Sequence, residues 1–347
     1  MTDPFVSVIM PVRNEEAFIA RSLGAVLNQQ YPPERIEALV ADGQSDDHTR
    51  AVIASLPGAE RVRVIENPQR RQAFGLNLAL RQARGDIIVR VDGHTIIAPD
   101  YVRQCVQALA ESGAVNVGGR MEPYAEPQGA TPMGRAIAAA GASRFGVPTA
   151  FHVSATPQYT DTVYLGAWPR DALLAVGGFD ERLRVNEDYE LNYRLRRAGG
   201  RIYLSPAIRS TYFGRQTLRA LARQYFAYGW DRTNTLKLHP SSLKLRQLVA
   251  PIFVAALLIG GTLAMVNGAA RVAWMALLAV YALANIGASA QVARRTGWGL
   301  LPRLPLVFAT MHIAWGLGFW KGLLFGGALT RRSEAPARLD MQSQGGR

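Results

Sequence analysis

Three polar clusters stand where short apolar runs end. Val6–Val12 runs into Pro11-Val12-Arg13-Asn14-Glu15, Ile36–Ala41 into Asp42-Gly43-Gln44-Ser45-Asp46-Asp47, and Asp86–Val91 into Asp92-Gly93-His94. Carboxylates gathered at neighbouring strand ends repel one another unless a cation or a donor-rich ligand offsets them. A nucleoside diphosphate carrying a divalent metal does both. Asp92 and His94 are two residues apart, so on extended backbone their side chains point the same way. Carboxylate plus imidazole suits Mn or Mg, with diphosphate oxygens and water completing the shell. Other chemistries lose their support. The first strand is followed by Arg13-Asn14-Glu15-Glu16 instead of a Gly-x-Gly-x-x-Gly turn, and neither a P-loop nor a Gly-x-Ser-x-Gly elbow occurs.

The elements that must position these residues alternate. Strands are predicted over Val6–Val12, Ile36–Ala41, Val62–Ile65 and Asp86–Val91, with helices over about Glu15–Asn28, Thr49–Leu56, Arg71–Arg84 and Pro99–Glu111. This is the pattern of an α/β domain with a mostly parallel sheet, whose ligands bind outside the carboxyl ends of the strands. Gln72 opens the third helix, where Asn77 either caps and packs or joins a donor site. A further helix is expected over Glu187–Ala198, closed by Gly199-Gly200.

Charge is divided sharply along the 347 residues. Residues 1–208 hold 22 Lys and Arg against 23 Asp and Glu; residues 209–347 hold 17 against 3. A uniformly basic nucleic-acid binder would not segregate charge in this way. From Leu248 to Ser333 there is no acid at all, and Leu248–Asn267, Val272–Ala293 and Leu304–Leu329 are apolar runs near the length that crosses a bilayer. Arg209–Arg246 carries eight basic residues against Asp231 alone, so the N-terminal part is expected on the cytoplasmic side. Met1–Pro11 does not read as a secretory leader. Two topologies fit: three crossings, or a hairpin followed by a re-entrant or broken third segment bending near Gly316 and Gly318, which keeps Arg331, Arg332 and Arg338 inside. Thr217–Tyr228, with Leu218, Leu221, Tyr225 and Tyr228 on one face, reads as an amphipathic helix on an anionic leaflet. The lone Cys105 excludes an intrachain disulfide framework and reads as a small core residue.

Four motifs in order resemble the family 2 glycosyltransferases of the GT-A fold. These are Val8–Glu15, Val40-Ala41-Asp42-Gly43-Gln44-Ser45-Asp46-Asp47-His48-Thr49, Gly85–His94, and Gly177-Gly178-Phe179-Asp180-Glu181 followed by Asn186-Glu187-Asp188-Tyr189. With Arg223-Gln224-Tyr225-Phe226 and the membrane tail, the chain is most similar to the succinoglycan-type exopolysaccharide subgroup. The resemblance implies an inverting transfer of one sugar from a nucleoside-diphosphate sugar, UDP-linked by the same resemblance, to a hydroxyl. Pro11, Arg13, Glu15, Asp42, Gly43, Ser45, Gln72 and Asp92 would bind nucleotide. Asp92 and His94 would hold the metal, Asp188 would be the general base, and Glu187 would tune it or position the acceptor. Gly178, Phe179, Asp180 and Glu181 would meet the acceptor. Trp168 either shapes the sugar pocket or ends a buried strand, and Arg223 and Gln224 could close over the site.

The sequence departs from the family's pattern twice. Asp92-Gly93-His94 replaces Asp-x-Asp, which leaves the metal preference open, and the Gln-x-x-Arg-Trp signature of processive synthases is absent, which favours a single addition. The expected organisation is a catalytic domain over 1–208, a basic amphipathic segment over 209–247, membrane spans over 248–330 and a disordered tail over 331–347. The expected acceptor is a polyprenyl-diphosphate-linked glycan at the inner membrane. Transfer to polyprenyl monophosphate itself, or a non-catalytic nucleotide-sugar-binding subunit, are the alternatives.

Overall fold

The computed structural model describes residues 3–123, 131–146, 151 and 154–326; the tail assigned to 331–347 lies outside them. They fall into two compact units, one from residues 3–122, 151 and 154–213, the other from 123, 131–146 and 214–326.

In the first unit the alternation becomes strands β1 (Val6–Val12), β2 (Ile36–Asp42), β3 (Val62–Glu66) and β4 (Ile87–Arg90). Between and after them run helices α1 (Ile19–Leu27), α2 (Thr49–Ser55), α3 (Gln72–Gln82) and α4 (Tyr101–Ser112). β1 pairs parallel with β2 from Val6 opposite Ile36 to Val12 opposite Asp42, and β1 with β4 and β2 with β3 are also parallel. The mostly parallel expectation fails beyond β4. β5 (Thr95–Ile97), β6 (Asn116–Pro123), β7 (Gln158–Thr160), β8 (Tyr164–Pro169) and β9 (Ile202–Tyr212) extend the sheet in the order β3-β2-β1-β4-β8-β6-β9-β5, with β7 also on β9. The pairs β4–β8, β6–β8, β5–β9 and β7–β9 are antiparallel, so the sheet is mixed. Helices still lie between β5 and β6, β6 and β7, and β8 and β9, so the strand–helix alternation that signals parallel crossovers also precedes antiparallel pairing here, and strand direction was not legible in the second half.

Strand alternation sends side chains to two cores. Val8, Met10 and Val12 face α1 and α4 with Leu23, Val102 and Cys105, the last buried as expected. Ile9 and Leu39 face α3 with Leu76, Leu80, Trp168 and Phe179, together with Leu191 and Leu195. Those last two belong to α7 (Glu187–Arg197), which follows α6 (Arg170–Ala175).

The second unit holds α5 (Pro132–Gly141), α8 (Leu218–Leu238), α9 (Val249–Ala264), α10 (Gly268–Thr296) and α11 (Leu304–Phe325). Sequence reading left α5 inside the catalytic domain. Its buried Ala136, Ile137 and Ala140 instead pack with Leu221, Val307, Phe308 and Met311. The face of α8 assigned to the leaflet is likewise covered by protein, because Leu218, Leu221 and Tyr225 join that cluster. Leu245–Ala264 and Gly268–Thr296 are long and apolar enough to cross a membrane, with mean hydropathies of 2.0 and 1.7. Their Val249, Ile252, Leu258, Ile259 and Leu283 stand exposed, as lipid-facing side chains would.

α11 is one continuous helix, and no break occurs near Gly316 or Gly318. These glycines serve packing. A β-carbon on Gly316 would lie 2.7 Å from the Ala250 carbonyl oxygen, one on Gly318 would run into that of Phe226, and one on Gly322 into Thr233 Oγ1. Small residues let the backbones of α8, α9 and α11 approach closely, as membrane helices do.

Candidate active site

The loops after β1 and β2 are latched together. Asn14, at φ 55°, donates through Nδ2 to Asp46 Oδ1 at 2.6 Å and accepts the Asp46 N–H at 3.0 Å. The Glu15 N–H donates to Thr49 Oγ1 at 2.8 Å, and the Gly43 N–H to the Val12 carbonyl at 2.8 Å. Asp42 is fully buried and accepts from the Ser45 hydroxyl at 2.5 Å and from Arg50. Asp42 and Ser45 therefore shape this loop from within. Pro11 continues β1 opposite Ala41, while Arg13 is exposed beside Gly43.

β4 leaves the sheet beside that pair of loops. A β-carbon on Gly93 would lie 2.9 Å from Glu15 Cγ and 3.1 Å from Val12 Cγ1, so only glycine lets the two strand exits come this close. Glu15 Oε1 meets His94 Nδ1 at 2.8 Å. With the proton on Nδ1, this pair makes Nε2 the lone-pair nitrogen, the carboxylate–histidine arrangement that orients a metal ligand. Gln72, at the start of α3, points Nε2 at Asp92 Oδ1 from 3.5 Å.

Arg90, buried at the end of β4, ties this donor-side cluster to α7. Its Nε and Nη2 reach Asp92 Oδ1 and Oδ2 at 2.8 and 3.2 Å, and Nη1 lies 3.0 Å from Glu187 Oε1. One guanidinium thus faces Asp92, Glu187 and the neighbouring Asp188. Burial works against its charge, but Asp92 and Glu187 outweigh that and hold Arg90 cationic. Burial pushes the Glu187 carboxyl up to about 7, with Arg90 opposing and Asp188 adding. Burial raises Asp188 too, against Arg90 and the Tyr189 N–H that donates to its Oδ1 at 2.7 Å. Glu187 is closed off, whereas Asp188 is part-exposed at the first turn of α7.

The Gly177–Glu181 turn is pinned from both sides. Asn77 accepts the Phe179 N–H and donates to its carbonyl, both at 2.9 Å, and also donates to Glu181 Oε1 at 2.8 Å. Arg194 donates to the Gly178 carbonyl at 2.8 Å and to Glu190. Gly177 and Gly178 have φ of 77° and 67°, and a β-carbon on Gly178 would lie 2.6 Å from Asn77 Oδ1.

Carboxylates and an imidazole at the ends of parallel strands, tied through Arg90 to a raised-pKa acid pair, suit transfer from an anionic donor. The model of the family "Glycosyl transferase family 2" matches residues 7–160. The succinoglycan biosynthesis protein ExoA of Rhizobium meliloti is 32% identical over 325 residues, 91% of this chain and 94% of that protein. This chain belongs to glycosyl transferase family 2. It is a glycosyltransferase. A Methanococcus voltae enzyme, a dolichyl N-acetyl-alpha-D-glucosaminyl phosphate 3-beta-D-2,3-diacetamido-2,3-dideoxy-beta-D-glucuronosyltransferase, is 25% identical over 93% of this chain and 98% of its own. Among solved structures, the mannosyltransferase PcManGT from Pyrobaculum calidifontis, in complex with GDP-Man and Mn2+, is similar over 93% of this chain and 88% of that one. Its TM-score is 0.59 at 22% identity, a likeness of GT-A fold.

Within this family 2 enzyme the structure gathers Glu15, Gln72, Asp92, His94, Glu187 and Asp188, with Asp42, Gly43 and Ser45 behind them. Two expectations need correction. Trp168 and Phe179 are fully buried, their rings 6.0 Å apart edge to face, so they are core and line no sugar pocket. Asp180 is also buried, turned onto Arg182 at 2.8 Å from Nε, and offers no carboxylate to an acceptor. Arg223 and Gln224 belong to the second unit, on α8. Arg90 was missed, although its signal was present: a lone arginine inside Ile-Ile-Val-Arg-Val must find buried partners.

A divalent cation is tested by the donor set. Among the described residues no three His, Cys, Asp or Glu gather into a cage. Asp92 with a Glu15-oriented His94 fits an ion whose shell is completed by substrate phosphates.

Proposed function

We propose that this glycosyltransferase moves one sugar, with inversion, from a nucleoside-diphosphate sugar, best read as UDP-linked, to a hydroxyl of a lipid-linked glycan intermediate in exopolysaccharide or cell-surface glycan synthesis. The observation that carries the reading is Arg90. It holds the donor-side Asp92 and the acid pair Glu187–Asp188 around one buried cation. Likeness to ExoA supports the pathway, and the dolichyl N-acetyl-alpha-D-glucosaminyl phosphate named for the Methanococcus relative supports a lipid-linked acceptor.

Asp92 and His94 would hold Mn or Mg, which when bound neutralises charge on the diphosphate. Gln72, Arg13 and Glu15 would orient the nucleotide around it. Asp188, the more accessible acid, would accept the acceptor hydroxyl's proton as that oxygen bonds to the anomeric carbon. The bond to the diphosphate breaks with its electron pair leaving on the nucleotide, and the proton on Asp188 passes to water. Arg90 keeps Glu187 in place and offsets the crowded negative charge. The two helices long enough to span a membrane, and the basic segment before them, support multi-pass anchoring in the inner membrane with this unit in the cytoplasm.

A panel of nucleotide sugars with Mn, Mg or EDTA tests the donor side on detergent-purified full chain. Metal-dependent thermal protection by one donor, lost in Asp92→Ala, is expected. Folded protein that no donor protects would overturn the donor site assigned to Asp92 and His94.

A further inference from the structure

The second unit contains a groove that the catalytic reading leaves unused. It lies along one side of the seam between α8 and α11, with a volume of about 580 Å³. Ala222 and Phe226 on α8, with Leu306, Ile313 and Leu317 on α11, supply apolar walls. Leu306, Ile313 and Leu317 keep 57%, 37% and 39% of their surface exposed, although the opposite side of α11 is packed into the bundle.

The same groove holds one cation, Arg223. Its side chain is exposed, and no hydrogen bond or ion pair among the described residues engages it. Arg219 stands one turn earlier, also exposed. The sequence has Asp231 as its single acid between Arg209 and Ser333. An anionic group at Arg223 would therefore meet two cations and little repulsion, while its attached chain would find a dry furrow.

We propose that this groove binds the lipid carrier of the acceptor, a single isoprenoid chain bearing phosphate, with the phosphate on Arg223 and the first part of the chain against Phe226, Leu306, Ile313 and Leu317. The proposal rests on the lipid-linked reading of the acceptor above and adds the place where the carrier sits. Two observations select this occupant. The groove sets apolar walls beside a cation in the unit that carries the two span-length helices, which favours an amphiphile over a soluble peptide. Arg223 is the groove's single cation among its lining residues, which matches one phosphate on one chain.

The test uses full-length protein in phosphatidylcholine nanodiscs and geranylgeranyl monophosphate carrying a photoreactive group on its chain. Label is expected in peptides covering 219–226 and 306–317, displaced by plain geranylgeranyl monophosphate but not by geranylgeraniol or phosphatidylglycerol. Arg223→Gln, a surface change that leaves the fold intact, should weaken capture by at least about tenfold, the worth of a charge-assisted hydrogen bond. Ala309→Trp, which fills the groove, should abolish it in protein whose thermal midpoint is unchanged. Label spread over α9 and α10, equal displacement by phosphatidylglycerol, or capture unaffected by Arg223→Gln would each overturn the site. Sugar transfer to lipid-linked acceptor, measured separately on the wild type, keeps the two readings apart. Transfer without groove labelling sinks the groove alone, and groove labelling without any such transfer sinks the acceptor reading.

Discussion

Glu187 and Asp188 are adjacent in sequence but differ in what surrounds them. Glu187 is sealed against Arg90, while Asp188 keeps partial access, and burial raises both. Carboxylates this close titrate as a pair, so the first proton lost on going from acid to neutral pH belongs to both. An ionised base is needed for proton abstraction, and burial raises Asp188, so kcat/KM should fall on an acid limb that lies above the range of a free aspartate. Glu187→Gln removes a like charge, which favours the ionised form of Asp188, so the acid limb should move to lower pH. A pH profile of single-turnover transfer reads this directly; an unmoved limb would mean that the two acids do not share their titration. Arg90 shows why sequence falls short at this scale. That it needed buried partners was legible, but Glu187 lies 97 positions further along the chain, and only the sheet brings them together.

At the scale of elements, the strand–helix repeats that build the nucleotide side were legible because apolar runs and turn residues alternate there; the predicted first strand has the bounds of β1. Glycine and aromatic residues were less legible. A bend near Gly316 and Gly318 was one of two readings, drawn to keep Arg331, Arg332 and Arg338 inside, yet here the helix is continuous and the glycines are contact points. Trp168 had two readings, of which the buried strand end holds, and Phe179, placed at the acceptor by its motif's resemblance, lies in the core with Ile9, Leu39 and Leu76. Packing through glycine makes a sharp prediction. In Gly318→Leu the new side chain must push the Phe226 carbonyl away, at a cost of about 1–3 kcal/mol, and should lower the thermal midpoint in detergent. An unchanged midpoint would show that α8 and α11 are not held by this contact.

At the scale of the whole molecule, charge is near neutral in residues 1–208 and strongly basic afterwards, the division that the proposed membrane anchoring requires. Full-length protein should stay with membranes through carbonate extraction, as expected when α9 and α10 both cross. Release into the soluble fraction would reduce them to peripheral helices. The central claim is that these parts serve transfer to a hydroxyl, with Asp188 taking its proton. Asp188→Asn keeps the shape and removes the base, and its transfer rate, measured with donor and lipid-linked acceptor beside donor affinity, tests this most directly. Loss of about 10²–10⁴-fold in transfer, at unchanged donor binding, is the predicted result. Transfer at close to the wild-type rate would contradict it and point to a phosphate acceptor that needs no base.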